Sequence, residues 1–260
     1  MCIILFALDT HPEYRLILAS NRDEYFDRPT APAASWEDAP DLLAGRDLKE
    51  GGTWLGITKD GRFGALTNYR DPATLRKDAP SRGGLVTDFL LSDAPAADFL
   101  EELRIRDRGY NGYNLLLGDN RDLYWYSNRG DKPERLSPGI YALSNRLLDT
   151  PWPKAVRGKK AFEETIRGGK RPPPEDLFDV LSDRTSAPDE ALPHTGVAPE
   201  WERVLSPIFI SSPQYGTRAS TLLFLDRNGK VIFMERTFGP GGECLISREF
   251  AFRIRISRNG

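Results

Sequence analysis

Cys2 stands directly behind the initiator methionine, and a side chain that small lets Met1 be removed. The chain would then begin with a thiol and a free α-amino group on one residue. An α-amine titrates near ~7.7–8.0 and a free thiol near ~8.5, so the amine can be the base that activates its own thiol. The plainer reading is a small buried hydrophobe. Residues 1–8 are an apolar run with no helix start signal, which reads as a buried strand. The choice depends on whether other polar groups reach the same place. Asn21-Arg22-Asp23-Glu24 puts an amide, a guanidinium and two carboxylates in succession at the end of a second predicted strand, Arg15–Ser20. Taken alone, it is a polar loop with Asp23 or Glu24 paired to Arg22 or Arg28. Asn68 and Asn145 each close a predicted strand, and Arg218 leads into one. Ser81-Arg82-Gly83-Gly84 could offer free N–H groups to an anion, although a plain helix start accounts for it as well.

The elements that must position these residues follow from periodicity and turn chemistry. The first two strands should pair as a hairpin across the polar turn Asp9–Glu13. Pro29, Pro32 and Pro40 make residues 26–50 irregular. Asp60-Gly61 turns between Gly51–Thr58 and Phe63–Arg70. Residues 85–91 and 94–103 read as amphipathic helices. Tyr110–Asp119 and Asp122–Asn128 form another hairpin, and Gly139–Asn145 is a strand. Helices follow at 152–166 and 175–182, then an irregular stretch over 185–200. Tyr215–Leu225 and Lys230–Arg236 flank Asn228-Gly229, the strongest hairpin signal in the chain, and Phe250–Ile256 alternates as a last strand. Antiparallel pairs at both ends with helices clustered at 83–104 and 153–182 predict an α+β protein. Two antiparallel sheets would lie between helical layers, with the first strand central. No linker divides the chain, so residues 1–260 are expected to form one domain.

Composition excludes several function classes. The 260 residues are 39% apolar and 28% charged, an ordinary globular balance. Lys plus Arg is 36 against 38 for Asp plus Glu, so no positive field points to nucleic acid. No apolar run reaches membrane-spanning length. Cys2 and Cys244 lie at opposite ends of the chain, and His11 and His194 are not spaced as zinc ligands. A reduced, cytoplasmic setting is expected, with no metal or other cofactor. No sequence pattern specifies an oligomeric state. The 13 Phe, 9 Tyr and 5 Trp could supply an apolar pocket, though most belong in the core. Cys244, after Gly239-Pro240-Gly241-Gly242, reads as an ordinary loop or strand-start cysteine.

Cys2, Asp23, Asn68, Asn145 and Arg218 together resemble the N-terminal-nucleophile hydrolases of the penicillin V acylase and bile salt hydrolase type. The resemblance implies an αββα sandwich with Cys2 as nucleophile and its own amine as base. It further implies that Asp23 holds the amine, that Asn68 helps form the oxyanion hole, and that Asn145 and Arg218 complete the site. The family places an Arg three residues before the Asp, where this chain has Ser20; Arg22 stands beside Asp23 instead. A closer resemblance runs through eight blocks in order. They are Met1-Cys2, Ser20–Glu24, Gly52–Gly56, Leu66–Arg70, Arg82–Leu85, Tyr113–Leu115, Leu143–Asn145 and Leu148–Lys154. These look like the NRDE family, also called transport and Golgi organisation protein 2. Roles proposed for its eukaryotic members include haem trafficking, lipid or acyl-CoA metabolism and Golgi organisation.

The leading expectation is therefore an amidohydrolase acting on a C–N bond of a small-molecule substrate. Asn21, Arg22, Tyr69, Arg70 and Arg82 are expected to bind that substrate. The alternative is a carrier for a hydrophobic ligand on the same scaffold, since fold does not dictate function. Haem would need Cys2 or His11 as axial ligand, and acyl-CoA would need Arg70, Arg76, Lys77 and Arg82 for its phosphates, residues that otherwise form a solvated loop.

Overall fold

A computed structural model describes residues 2–106 and 109–255. Met1 and Ile256 lie outside the described residues. In chain order the strands and helices are β1 (Cys2–Leu8), β2 (Tyr14–Tyr25), β3 (Thr30–Ser35), β4 (Leu42–Asp47), β5 (Leu55–Thr58), β6 (Phe63–Asn68), α1 (Gly83–Leu91), α2 (Ala96–Arg106), β7 (Tyr113–Gly118), β8 (Leu123–Ser127), β9 (Glu134–Arg135) and β10 (Gly139–Leu143). Then come α3 (Pro153–Ile166), α4 (Pro174–Leu181), α5 (Pro199–Val204), β11 (Tyr215–Asp226), β12 (Lys230–Phe238) and β13 (Cys244–Arg253). Over the described residues they form a six-stranded sheet, β10-β1-β2-β11-β12-β13, and a seven-stranded sheet, β3-β4-β5-β6-β7-β8-β9. Neighbouring strands pair antiparallel. The centre of the first sheet is held by β2 and β11; β1 lies next to the edge strand β10 rather than in the middle.

Side-chain alternation builds the layers. Ile4, Phe6 and Leu8 of β1 point between the sheets and join a core with Ile57, Ala65 and Leu116. Ile3, Leu5 and Ala7 point the other way, against Phe162 of α3 and Leu177 and Leu181 of α4. On the far side of the second sheet, Leu115 and Leu117 meet Val86 and Phe89 of α1 and Leu100 of α2. The order is therefore helices, sheet, sheet, helices. Close packing of α1 depends on Gly64, where a Cβ would stand 2.9 Å from Val86 Cγ1. Among the described residues no helix is long and apolar enough to cross a membrane.

Three departures from the expected elements have physical causes. Residues 26–50 contain β3 and β4. Pro32 is accommodated because β3 is an edge strand and the pairing shifts between Ala31 and Ala34, so no ladder hydrogen bond is demanded of it. Asn21–Glu24 is not a loop leaving the sheet. Arg22 pairs with Cys2 of β1, and Asp23 pairs with Thr217 of β11. The last strand starts at Cys244, where the exposed first residues show no alternation in burial.

Polar ties also join the sheets. Glu235 of β12 is on the inner face, two residues past Phe233, and its Oε1 accepts the Ala33 main-chain N–H at 2.6 Å. Arg248 of β13, paired with Glu235, donates to the Ala33 carbonyl at 2.8 Å. Burial raises the Glu235 pKa to about 7, with that N–H, Arg22 and Arg248 acting in the opposite sense. The folded state therefore holds this proton more tightly than the unfolded chain. The stability it contributes is present below about pH 4.5 and lost as pH rises through about 7, on the order of 3 kcal/mol in all. Glu235→Gln keeps the acceptor and removes the proton. Urea unfolding at about pH 5 and about pH 8 is expected to show the variant gaining on the native chain by up to that amount; parallel pH profiles would contradict it.

Candidate active site

Cys2 begins β1 on the face between the sheets, in phase with Ile4, and opens into a cavity of about 290 Å³. The cavity is built from separate elements. β2 contributes Arg22, Asp23 and Glu24; the end of β6 contributes Asn68; Thr53 and Trp54 come from the segment before β5. Ser81, Arg82 and Gly83 form its rim at the start of α1. That helix start can reach the rim because Gly52 has no side chain: a Cβ there would stand 2.5 Å from the Gly83 carbonyl carbon. Arg28, Asp47 and Glu50 add further charge to the wall. The lining is mostly polar, in contrast to the apolar pocket that the aromatic content made available.

Arg22 shares a face with Cys2 because the two are directly paired, and with Ser20 because they are two residues apart. The position where the resembled hydrolases carry arginine is thus one step deeper on the same face, opposite Ile4. The Arg22 guanidinium stacks on Trp54 at 4.2 Å from the ring centroid and donates to Thr30 Oγ1 at 3.3 Å. Arg82 donates to the Gly112 carbonyl at 3.0 Å, and the charges of Glu24 and Cys2 act on it.

Asp23 is buried beside Cys2. Its Oδ1 accepts from Thr217 Oγ1 at 2.7 Å, and its carbonyl accepts the Tyr215 hydroxyl at 3.0 Å. Burial pushes its carboxyl pKa up, while Lys154, the Thr217 hydroxyl and Arg22 pull it down. Cys2 is also raised, chiefly by burial and further by the Asp23 charge, against the Asp23 main-chain N–H and Arg22. Burial alone therefore makes this thiol a weaker nucleophile than an exposed one, and a dedicated base is required to activate it.

The other expected site residues take different positions. Asn145 is buried outside the cavity wall, and its amide donates to the Asn68 carbonyl at 2.9 Å. It fixes the backbone of a cavity residue, in a knot where Asn114 also holds the Arg146 carbonyl and Thr67 the Ser144 carbonyl. Asn21 faces the helical layer with Ile17 and Ala19, and donates to the carbonyls of Leu181 and Ile208 at 2.8 and 3.0 Å. Tyr69 packs beneath the Arg146 guanidinium, 4.9 Å from its ring centroid. Arg70 is buried in an ion pair with Glu202 of α5 and stacks on Trp152 at 4.7 Å. Arg218 falls at a β-bulge between Thr217 and Ala219 and donates to the carbonyls of Tyr25 and Arg28, clamping the turn after β2. None of these five lines the Cys2 cavity.

His11 lies past the opposite end of β1. Its Nδ1 accepts from Glu13 N–H at 3.1 Å and its Nε2 meets the Lys170 carbonyl at 3.1 Å, so both ring nitrogens are occupied. Arg76 pairs with Asp78 on the surface. Lys154, at the start of α3, is 2% exposed and donates to the Leu205 carbonyl at 3.1 Å, a burial that sequence reading did not anticipate.

Comparison with known proteins agrees with this geometry at the level of family and fold. A family described as Transport and Golgi organisation 2 matches residues 1–240. The Transport and Golgi organization protein 2 homolog of Bos taurus is 39% identical over 257 residues, covering 91% of this chain and 93% of that protein. The Drosophila melanogaster protein, Transport and Golgi organization protein 2, is 32% identical over 94% of this chain and 95% of its own length. Among solved structures, a mutant of the conjugated bile acid hydrolase from Clostridium perfringens covers 100% of this chain and 99% of that one, with a TM-score of 0.51 at 9% identity. That likeness establishes the N-terminal-nucleophile hydrolase fold.

Proposed function

This chain belongs to the transport and Golgi organisation 2 family, and on that premise we propose that it is a hydrolase of C–N bonds with the Cys2 sulfur as nucleophile. The observation that carries the reading is the convergence of Cys2, Asp23, Asn68, Arg22 and Arg82 on one polar cavity. The cavity is near the lower end of the usual range for small-molecule sites, about 300–1,000 Å³. The substrate is accordingly a small amide with polar or charged groups beside the scissile bond.

Removal of Met1 frees the Cys2 amine, which takes the thiol proton as sulfur attacks the carbonyl carbon. Asn68 donates to the developing oxyanion. The tetrahedral adduct collapses, the C–N bond breaks, and the proton held by the amine passes to the leaving nitrogen. Water then cleaves the thioester, regenerating the thiol and releasing the acid. Asp23 anchors the amine, and Arg22 and Arg82 bind the polar part of the substrate.

The test is a panel of small N-acyl amides and the corresponding activated esters, followed by product release and by intact mass after acid quench. The reading expects turnover and an acyl adduct on Cys2 of a chain lacking Met1. Asn68→Ala is expected to lower kcat by about 10²–10³-fold with the fold retained. Absence of any adduct across the ester panel, or full turnover by Asn68→Ala, would count against it.

A further inference from the structure

Arg22 and Trp54 line the Cys2 cavity, and both also line a second cavity of about 160 Å³. The second cavity lies where β3 meets the start of β11, the end of β12 and the start of β13. Pro32, Ala219, Phe238, Leu245 and Ile246 give it an apolar wall. Two further charged groups reach it, and both are engaged: Glu235 accepts the Ala33 N–H, and Arg218 donates to the carbonyls of Tyr25 and Arg28. Leu245 is 61% exposed and Ile246 40%, so they mark its open side. A polar cavity holding the thiol thus adjoins an apolar one, with the stacked Arg22 and Trp54 side chains between them. The two halves of that partition are held differently. The Trp54 ring lies against Gly45 of β4, where a Cβ would collide with its Cη2 atom. The Arg22 guanidinium is held by its stack on the ring and by its hydrogen bond to Thr30, contacts that are individually weak. The guanidinium can therefore swing aside while the ring stays in place.

We propose that the second cavity is the subsite for an apolar arm of the substrate, which reaches it past Arg22 while the amide lies against Cys2. This deepens the hydrolase reading and rests on it for its purpose. The substrate class becomes a small amide with a polar centre and one compact hydrocarbon arm. An apolar cavity of about 150 Å³ accepts a guest the size of benzene, which sets the scale of the arm. Trp54 supplies a rigid apolar wall along the path, and the displaced guanidinium remains beside the polar part of the substrate. The continuity of the two cavities through Arg22 and Trp54 is what selects this occupant.

The test is an NMR titration of the Cys2→Ala chain with acetamide, butanamide and hexanamide, and with N-butylacetamide, the isomer of hexanamide that carries its arm on nitrogen. The Ala219 and Ile246 methyl groups report on the second cavity, and the Trp54 indole N–H and the Arg22 side chain on the partition. Affinity is expected to rise about fourfold for each added methylene that enters, with the Ala219 methyl and the Arg22 signal shifting together. The better-bound isomer tells which side of the amide bears the arm. Thr237 is paired with Ala219 on one side and Ile246 on the other. Thr237→Trp should fill the cavity and bring the affinity for hexanamide down to that for acetamide. If that variant does not fold, Leu245→Asp decides: it changes an exposed side chain and should weaken hexanamide several-fold more than acetamide. Equal affinities across the series, no saturable shift of the Ala219 methyl up to the solubility limit, or a chain-length preference that survives both variants overturns the proposal. None of these measurements needs turnover. A chain-length preference in a protein whose native form hydrolyses nothing would refute the hydrolase reading and leave the subsite standing; turnover with no such preference would do the reverse.

Discussion

Replacing Cys2 with alanine is expected to lower amide turnover by at least about 10³-fold, because among the described residues no other thiol lines the cavity. The fold should survive. Cys2 is the first residue of β1, and its main chain would still pair with Arg22 and accept the Ser144 hydroxyl. Its side chain removes one sulfur from a cavity wall rather than from the packed core. Product release and thermal unfolding on the same preparation check both halves. Activity within tenfold of native would exclude a covalent role for this sulfur.

The second large effect concerns stability. Arg70 and Glu202 are each 4% exposed and form a buried ion pair, with Thr195 also donating to Glu202. Arg70→Met leaves an uncompensated carboxylate in the interior and is expected to cost about 3–5 kcal/mol in urea unfolding at neutral pH. Replacing both partners, Arg70→Met with Glu202→Leu, should recover most of that loss, because the penalty lies in the orphaned charge. A single substitution costing less than about 1 kcal/mol would be the behaviour of a solvated surface pair and would contradict the burial.

The fold was legible where local chemistry and global packing agree. The apolar run of β1 and the Asn228-Gly229 turn between β11 and β12 signal hairpins that the sheets indeed contain. The same local rules missed β3 and β4, because proline is excluded from sheet interiors but tolerated at a shifted edge. For the site, the family resemblance led to Cys2, Asp23 and Asn68, with Arg22 and Arg82 expected beside them, and the fold brings these five to one cavity. Strand phase separates the rest. Asn21 is one residue from Arg22 and so faces the opposite layer, and a single bulge turns Arg218 toward the Tyr25–Arg28 turn. Arg70 looked like a surface arginine because its partner is on the short α5 helix, in the tail of a stretch that gave no periodic signal. A lysine in the first turn of a helix likewise reads as solvated; only the long-range packing of α3 against α5 and the first sheet buries Lys154.

An activated N-terminal thiol is tested by the rate of alkylation at each cysteine as a function of pH, read by intact mass and peptide mapping. Burial raises the Cys2 pKa, whereas Cys244 is exposed at the start of β13. On burial alone, Cys2 should react more slowly than Cys244. An amine-activated thiol requires a chain lacking Met1 in which Cys2 reacts faster than Cys244 at neutral pH and loses that advantage as its amine is protonated. A chain that keeps Met1, or a Cys2 no faster than Cys244, would contradict it.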